Sequence, residues 1–268
     1  MTIMRTTSFA VLTAAILLWG HVKAASAAVI DLAKYDLSTP TFNADPATPP
    51  SPFTGLKLGT WNASATGPGV TASVLDAAPS IKQYVFDSPN YRGNVIPSGI
   101  GNPGDGMFVR STLTPSTPAL AVSNGSYLTI TVQATSGLDA LKITEFKFDY
   151  ALQESEGGSL TGTATLRSSA DGFTSDLGTS TLTQSTNATS AWSVNTYAIT
   201  APALQNVSGP VEFRLYFNDN LEIASSIHRL DNFIVRGEVI PIPEPGSLVL
   251  IGLAGGLLLS RRRRSMTA

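Results

Sequence analysis

The chain has 268 residues, 43% of them hydrophobic, with 19 acidic and 17 basic side chains and no cysteine. Six of the cations lie near the two ends, whereas every acidic residue lies between Ala28 and Pro245, so this middle part carries 11 − 19 = −8 charges. Such an acidic domain excludes nucleic acid as a natural partner. The lack of cysteine excludes disulfides, thiolate zinc sites and cysteine nucleophiles.

The first 27 residues have the pattern of a secretory signal peptide. Arg5 supplies the positive charge, Phe9 to Gly20 form an apolar stretch, and Ala25-Ser26-Ala27 has the small residues that signal peptidase requires. We expect cleavage after Ala27. The alternatives, a membrane anchor or a buried helix, are disfavoured because the apolar run is too short to span a bilayer.

Residues 28–240 show no sustained helical period and instead short runs of two-residue alternation, broken by Gly, Pro, Asn, Asp and Ser. Between about Pro40 and Pro118 the alternation is weaker, and this stretch predicts strands with long loops. Repeated strands without intervening helices predict one all-β domain, an antiparallel β-sandwich.

The alternation is clearest in the second half of the domain. Tyr127 to Gln133 places Leu128, Ile130 and Val132 on one face, as expected for a half-buried strand. From Leu141 to Leu152 the phase changes, which predicts a β-bulge near Thr144-Glu145. Further strands are predicted over Leu160–Arg167, Val211–Phe217 and Arg229–Val239.

Asp231 is a candidate metal ligand in the last of these strands. By alternation it shares a face with Phe233, Val235 and Val239, where an unpaired carboxylate is costly. A structural calcium ion, held together with Asp31 of the first strand or with nearby carbonyls, would remove that cost. The alternative is a carboxylate that accepts a hydrogen bond from a backbone N–H or from Arg229, with no metal.

Exposed flat rings would be needed to bind a sugar. Trp61, Trp192 and Tyr216 are the candidates for a glycan site, together with Tyr150. For each ring the competing interpretation is packing in the core or at a sheet edge.

The residues needed for catalysis are scarce, so we expect no enzymatic activity and no cofactor other than calcium. His228 is the only histidine left after removal of the signal peptide, and no serine lies in a Gly-x-Ser-x-Gly turn. Alone beside Arg229, it is expected on the surface. Glu154 and Glu156 could in principle serve a glycosidase, but the Gly-Gly that follows them predicts a solvated hairpin loop.

The C-terminal part, residues 241–268, combines three features. From Val239 the chain reads VIPIPEPGSLVLIGLAGGLLLSRRRRSMTA, a proline cluster, an apolar stretch and four arginines. The prolines predict an extended, accessible segment. The apolar stretch is short for a membrane helix, at roughly 14 residues against the roughly 20 usually needed, although snorkelling arginines could extend it. The arginines predict a cytoplasmic C-terminus.

Together these features resemble the PEP-CTERM sorting signal of exported proteins in Gram-negative bacteria that make extracellular polysaccharide. The resemblance implies that an exosortase-type membrane enzyme recognises the tail and removes it. The residues that it assigns to sorting are Pro243, Glu244, Pro245, Arg261, Arg262, Arg263 and Arg264. The alternative is a plain tail anchor that is never processed.

Ser126 to Val239 resembles the jelly-roll, carbohydrate-binding-module-like domains found upstream of such tails, through segments such as LTITVQA, ITEFKFDY and GPVEFRLYF. This resemblance implies a jelly-roll β-sandwich and makes extracellular polysaccharide a plausible partner. We therefore expect a non-enzymatic protein of the cell envelope or extracellular matrix, held transiently in the inner membrane. The alternatives are a carbohydrate-binding module with a defined glycan site and an extracellular hydrolase.

Overall fold

A computed structural model describes residues 27–37, 40–42, 57–78, 81–85, 107–111, 115–137, 139–153, 159–185, 192–221 and 227–242. Fifteen strands are assigned in these ranges. The short strands of the first half are β1 (Ile30–Tyr35), β2 (Pro40–Phe42), β3 (Lys57–Trp61), β4 (Ala65–Thr66), β5 (Val70–Ala72), β6 (Asp76–Ala77), β7 (Ile81–Val85) and β8 (Met107–Ser111). The longer strands of the second half are β9 (Tyr127–Ala134), β10 (Asp139–Gln153), β11 (Ser159–Ser168), β12 (Gly178–Ser185), β13 (Ser193–Ala198), β14 (Val211–Asp219) and β15 (Ile227–Pro241).

The strands form two antiparallel sheets of nine and six strands. Counting only the eight longest strands, the nine-stranded sheet has the order β1-β15-β10-β13 and the six-stranded sheet the order β9-β14-β11-β12. This is the strand order of a jelly roll, in which consecutive strands alternate between two sheets except for one hairpin, here β11–β12. The predicted all-β, antiparallel jelly-roll sandwich is therefore confirmed. Strands β2, β3, β7 and β8 extend the larger sheet beyond β15.

The predicted alternation is seen directly in β9 and β10. In β9, Leu128, Ile130 and Val132 are buried and the residues between them are not. In β10 the register with β15 shifts between Ile143 and Glu145, which is the bulge predicted there. Because one extra residue reverses the phase of a strand, both halves of β10 keep their apolar side chains on the inner face.

The core lies between the two sheets and is rich in aromatic rings. Phe146 and Phe148 of β10 and Phe233 of β15 are at most 1% exposed, and the Phe148 and Phe233 rings stack with their centroids 6.0 Å apart. Phe213 of the opposite sheet meets Phe146 with a centroid separation of 5.5 Å. These contacts join the sheets, and each buried ring removes a large apolar area from water.

One short helix, α1 (Pro118–Ser123), lies between β8 and β9. The Thr117 hydroxyl accepts a hydrogen bond from the Leu120 backbone N–H at 3.2 Å, and proline occupies the first turn, where it needs no N–H partner. Six residues are too few to produce a helical period, so the sequence did not predict this helix. No helix in the described residues is long and apolar enough to cross a membrane.

The predicted hairpin after β10 is wrong, although Glu154 and Glu156 themselves lie outside the described residues. Strand β10 belongs to the nine-stranded sheet and β11 to the six-stranded sheet, so the connection crosses from one sheet to the other. The Gly-Gly signal indicates a turn but does not say whether the flanking strands pair with each other.

Candidate functional site at the end of the last strand

The first and the last described residues lie at the same end of the sandwich. Strand β15 lies inside the larger sheet, between β10 on one side and β1 and β8 on the other. It ends at Pro241, opposite Asp139. Its neighbour β1 is antiparallel, with Ile30 opposite Gly237, so β1 begins where β15 finishes. Ala27, three residues before β1, therefore lies at the end of the sandwich from which the tail departs.

Charged side chains tie the three strands together near this end. The Arg236 guanidinium donates to Asp31 Oδ1 at 2.7 Å and to Glu145 Oε1 at 3.2 Å, and so links β15 to β1 and β10. The hydrogen bond to Asp31 is the main cause that raises the pKa of Arg236. Lys142 and Glu238 form another ion pair at 2.8 Å. Both arginine contacts remain partly open to solvent, and ion pairs in that setting contribute about 0.2–1 kcal/mol each, so they fix geometry more than they add stability.

The predicted sorting residues lie beyond this strand. Pro243, Glu244 and Pro245, the apolar stretch and Arg261 to Arg264 all fall outside the described residues, as does the signal peptide up to Ser26. Ala27 is described and is partly exposed, and the next two residues are exposed. The first residue of the proline-rich tail, Pro241, is the last residue of a strand inside the sheet, so no separate linker precedes the tail.

Asp231 is fully buried, but it does not share a face with Phe233 as the alternation predicts. Asn232 has a left-handed backbone (φ 49°) and adds an extra residue opposite β10, so the side chains of Asp231 and Phe233 point to opposite faces. Asp231 Oδ1 accepts the Asn232 backbone N–H at 2.7 Å, as the interpretation without a metal predicts. The Asn232 amide donates to Asp149 Oδ2 at 2.9 Å.

Asp31, the predicted partner of Asp231 in a calcium site, instead pairs with Arg236 further along β15. In the part of the chain that the structure describes, no three His, Asp or Glu side chains are grouped so that they could hold a metal ion. Calcium at Asp231 therefore stays a prediction from the sequence.

The three candidate glycan-binding rings are buried. Trp61 is 1% exposed, Trp192 is 8% exposed and Tyr216 is 3% exposed. Each indole N–H of the two tryptophans is buried without a hydrogen-bond acceptor among the described residues. Stacking on a sugar requires an open ring face. The burial of these rings therefore gives no support to a glycan site built on them.

Tyr216 instead belongs to a layer of rings and guanidinium groups on the outer face of the six-stranded sheet. Its ring meets Tyr127 edge-on with a centroid separation of 5.2 Å. The Arg214 guanidinium lies 4.4 Å from the Tyr127 centroid and 3.8 Å from that of Phe173, and it donates to Glu212 at 2.7 Å. These cation–π and ionic contacts form a layer beside Tyr216, whose ring is therefore covered.

A buried polar cluster that the sequence did not predict lies between the sheets. His228 is 2% exposed, contrary to the expectation of a surface residue, because it shares the inward phase of Leu230. Its Nδ1 is 2.8 Å from the Tyr150 hydroxyl, and its Nε2 is 3.7 Å from Asp219 Oδ2. Burial, with a smaller contribution from the Asp219 charge, raises the pKa of Tyr150 well above its ordinary value. The phenol therefore stays protonated and shares a hydrogen bond with His228 Nδ1.

This cluster does not have the arrangement of a hydrolase. His228 Nδ1 contacts a phenol oxygen and not a serine hydroxyl, and both rings are closed to solvent. The Tyr150 ring, which was also a candidate for sugar stacking, is fully buried. The hydrogen bond between Tyr150 and His228 pairs two buried polar groups, whereas His228 Nε2 has no hydrogen-bond partner among the described residues.

Comparison with protein families identifies the C-terminal segment. Residues 241–264 match the PEP-CTERM protein-sorting motif. No curated protein sequence matches the chain. The matched segment begins at Pro241, where β15 ends, and extends through Arg264.

Some solved structures are loosely similar to the sandwich. They include a carbohydrate-binding module of family CBM28 specific for non-crystalline cellulose (13% identity, 61% of this chain, 86% of that chain, TM-score 0.33). Another is CBM27-1 of Caldicellulosiruptor saccharolyticus in complex with mannohexaose (15% identity, 65% and 98%, TM-score 0.29). A third is the α-L-arabinofuranosidase MgGH51, at 13% identity and a TM-score of 0.32, where the match covers 63% of this chain.

The match to the arabinofuranosidase spans only 23% of that enzyme's length. At these TM-scores the similarities support no conclusion about the ligand. The sorting motif is specific and implies export and processing by an exosortase. The chain is therefore an exported surface protein that carries a PEP-CTERM sorting motif over residues 241–264, behind an antiparallel β-sandwich.

Proposed function

We propose that this chain is a non-enzymatic envelope protein whose sandwich is placed in the extracellular polysaccharide after an exosortase-type enzyme removes the tail. One observation carries the proposal: the sorting motif at 241–264 starts at the last residue of β15, a strand inside the sheet. The apolar part of the tail holds the precursor in the inner membrane, with Arg261 to Arg264 on the cytoplasmic side. Signal peptidase acts first, after Ala27.

The geometry of the sandwich suits processing at a membrane. Pro245 is four residues beyond Pro241, and an extended chain of that length reaches about 14 Å. The processing enzyme therefore meets Pro243-Glu244-Pro245 close to the folded domain. Because Ala27 is at the same end, the two membrane segments of the precursor leave from one side of the sandwich. The rest of the domain then faces away from the membrane.

Charge and composition agree with a place outside the cell. The middle of the chain carries a net charge of −8 and no cysteine, so it stays soluble and is indifferent to an oxidising compartment. The alternative of a carbohydrate-binding module with a defined site has no specific observation in its favour, because its three candidate rings are buried. An extracellular hydrolase has none either, since His228 is bonded to a tyrosine inside the core.

Site-specific labelling tests this proposal. The natural chain has no cysteine, so Val194→Cys, at an exposed position on β13, creates the only thiol. We expect a membrane-impermeant maleimide to label this variant in intact cells, and the labelled protein to co-fractionate with the extracellular polysaccharide until that polymer is digested. Ala121→Cys, at a fully buried position, is the control for leakage and unfolding, and it should stay unlabelled.

Two results would contradict the proposal. An absence of label in intact cells, with full labelling after lysis, would mean that the sandwich remains inside. Labelled protein that stays with the cell pellet or the medium, whether or not the polysaccharide is digested, would exclude polysaccharide association.

A further inference from the structure

Strand β12 ends the six-stranded sheet and is unusually regular. It pairs with β11 from Ser159 opposite Ser185 to Leu166 opposite Gly178, without the register shifts found in β1 and β10. Among the strands that the structure describes, β11 is its only partner. A straight edge strand presents a row of backbone donors and acceptors that another strand can bind.

The edge lacks the features that usually prevent such pairing. Its eight residues, GTSTLTQS, contain no charged side chain and no proline. Edge strands are normally protected by lysine, proline, a bulge or short length. The opposite edge of the same sheet is formed by β5 and β6, which have three and two residues. The far edge of the other sheet is formed by β2, which has three residues and begins with Pro40. The long edge strand β12 therefore lacks the features that prevent pairing with another strand.

The outward side chains of β12 form a ladder with β11. Thr179, Thr181 and Thr183 are exposed. Their hydroxyls contact those of Thr165, Thr163 and Thr161 with oxygen–oxygen distances of 3.4, 3.3 and 3.2 Å. Cross-strand threonine pairs of this kind each contribute roughly 0.2–1 kcal/mol in an antiparallel sheet. The outward threonines of β12 are thus already seen to pair with threonines of a neighbouring antiparallel strand.

The threonine pattern is symmetric about Thr181, and this symmetry identifies the partner. If two copies of β12 pair antiparallel with Thr181 at the two-fold axis, Thr181 lies opposite its own copy and Thr179 lies opposite Thr183. Every outward pair is then threonine with threonine, as it is with β11. Such a self-complementary edge fits an isologous dimer. Strand β13, at the edge of the other sheet, has six residues, and its exposed Val194, Thr196 and Ala198 give no such symmetry, because valine would lie opposite alanine.

We propose that β12 binds β12 of a second copy of this chain, so that two six-stranded sheets become one continuous sheet. Charge agrees with this contact, because two domains that each carry −8 repel each other, and pairing through the uncharged β12 adds no direct contact between like charges. The inference does not depend on the proposed polysaccharide association. In an envelope layer the dimer would link one sandwich to the next.

Charge substitution at the two-fold position gives a decisive test. In sedimentation velocity we expect the mature exported protein to be a dimer. We expect Thr181→Lys and Thr181→Glu to be monomers, because in each variant like charges would meet across the two-fold axis. An equimolar mixture of the two variants should return to the dimer. Thr71→Lys, an exposed threonine on the opposite edge strand β5, is the matched control and should remain dimeric. A monomeric natural protein, or a mixture that stays monomeric, would overturn the proposal.

Crosslinking tests the register without adding charge. The natural chain has no cysteine, so Thr181→Cys introduces a single thiol. Because this residue lies opposite its own copy in the proposed dimer, the variant should form a disulfide-linked dimer under mild oxidation. In the Thr179→Cys variant the new thiol faces Thr183 of the other copy, so no disulfide-linked dimer should form. A variant that carries both Thr179→Cys and Thr183→Cys should form one. Equal crosslinking of the two single variants would mean random collision and would contradict the pairing.

Discussion

At Asn232 the left-handed backbone of β15 separates two side chains that simple alternation puts together. Asn232 adds one residue opposite β10, so Asp231 points away from the core while Phe233 points into it. Asparagine tolerates this conformation better than most residues, and its amide bonds Asp149. The sequence contains the asparagine but no sign that it takes a positive φ, so the face of Asp231 could not be predicted.

The buried tyrosines determine how stability responds to alkaline pH. Burial raises the pKa of Tyr197 to about 12, although a hydrogen bond with Ser180 opposes the shift, and burial also raises the pKa of Tyr35 and of Tyr150. Above the unfolded value of about 10, the unfolded state loses protons that the folded state keeps. The free energy of unfolding therefore falls as pH rises from 10 to 12, by up to about 1.4 kcal/mol per pH unit for each such group.

Burial lowers the pKa of Arg229 to about 10, and this shift has the opposite sign. Only one arginine acts in this direction and three tyrosines act in the other, so we expect the free energy of unfolding to fall overall as the pH rises above 10. Urea unfolding at pH 8, 9, 10 and 11 measures the slope. Tyr197→Phe should lose less stability than the natural protein between pH 10 and 11, and its value at pH 8 reports the lost hydrogen bonds separately. An equally steep loss in the variant would contradict the assignment.

At the level of strands, the sequence predicted what depends on local pattern. The alternation in β9, the phase change in β10 and the apolar face of β14 each follow from which neighbouring residues are apolar. It did not predict which strands share a sheet, because that depends on contacts far apart in the chain. The wrong hairpin after β10 has this cause. The burial of His228 follows from its position two residues before the buried Leu230, which places both side chains on the same face of β15.

Gly237 lies where β15 passes close to the backbone of β10, and this position gives a stability prediction. A Cβ at this position would lie against the Lys142 backbone carbonyl and 2.8 Å from Leu32 Cδ1, at the junction of β15 with β10 and β1. Since the carbonyl oxygen belongs to the backbone, β10 itself would have to move. We expect Gly237→Ala to lower the free energy of unfolding by about 1–3 kcal/mol.

The matched control is Gly137→Ala, where a Cβ would meet nothing within 4 Å. Its effect should stay within about 0.5 kcal/mol in the same denaturation experiment. If the two alanine variants unfolded at the same denaturant concentration, the strand packing around Gly237 would be looser than described.

At the level of the whole molecule, the tail was recognisable in the sequence because its proline cluster, apolar stretch and arginines are contiguous. The sequence did not show where the tail joins the fold, because that depends on the register of β1 with β15, which are more than 200 residues apart in the chain. The glycan-binding candidates had a different difficulty. A strand pattern alone does not say whether Tyr216 is covered by a layer of charged and aromatic side chains.

The most direct test of the account is the intact mass of the protein isolated from its own envelope, compared with that of Glu244→Ala. We expect the natural protein to begin at Ala28 and to lack Arg261 to Arg264, and the variant to keep the whole tail and partition with membranes. Glu145→Ala removes the same charge from the sandwich and should be processed normally. A natural protein that retains its full C-terminus would contradict sorting by exosortase and would mean an ordinary tail anchor.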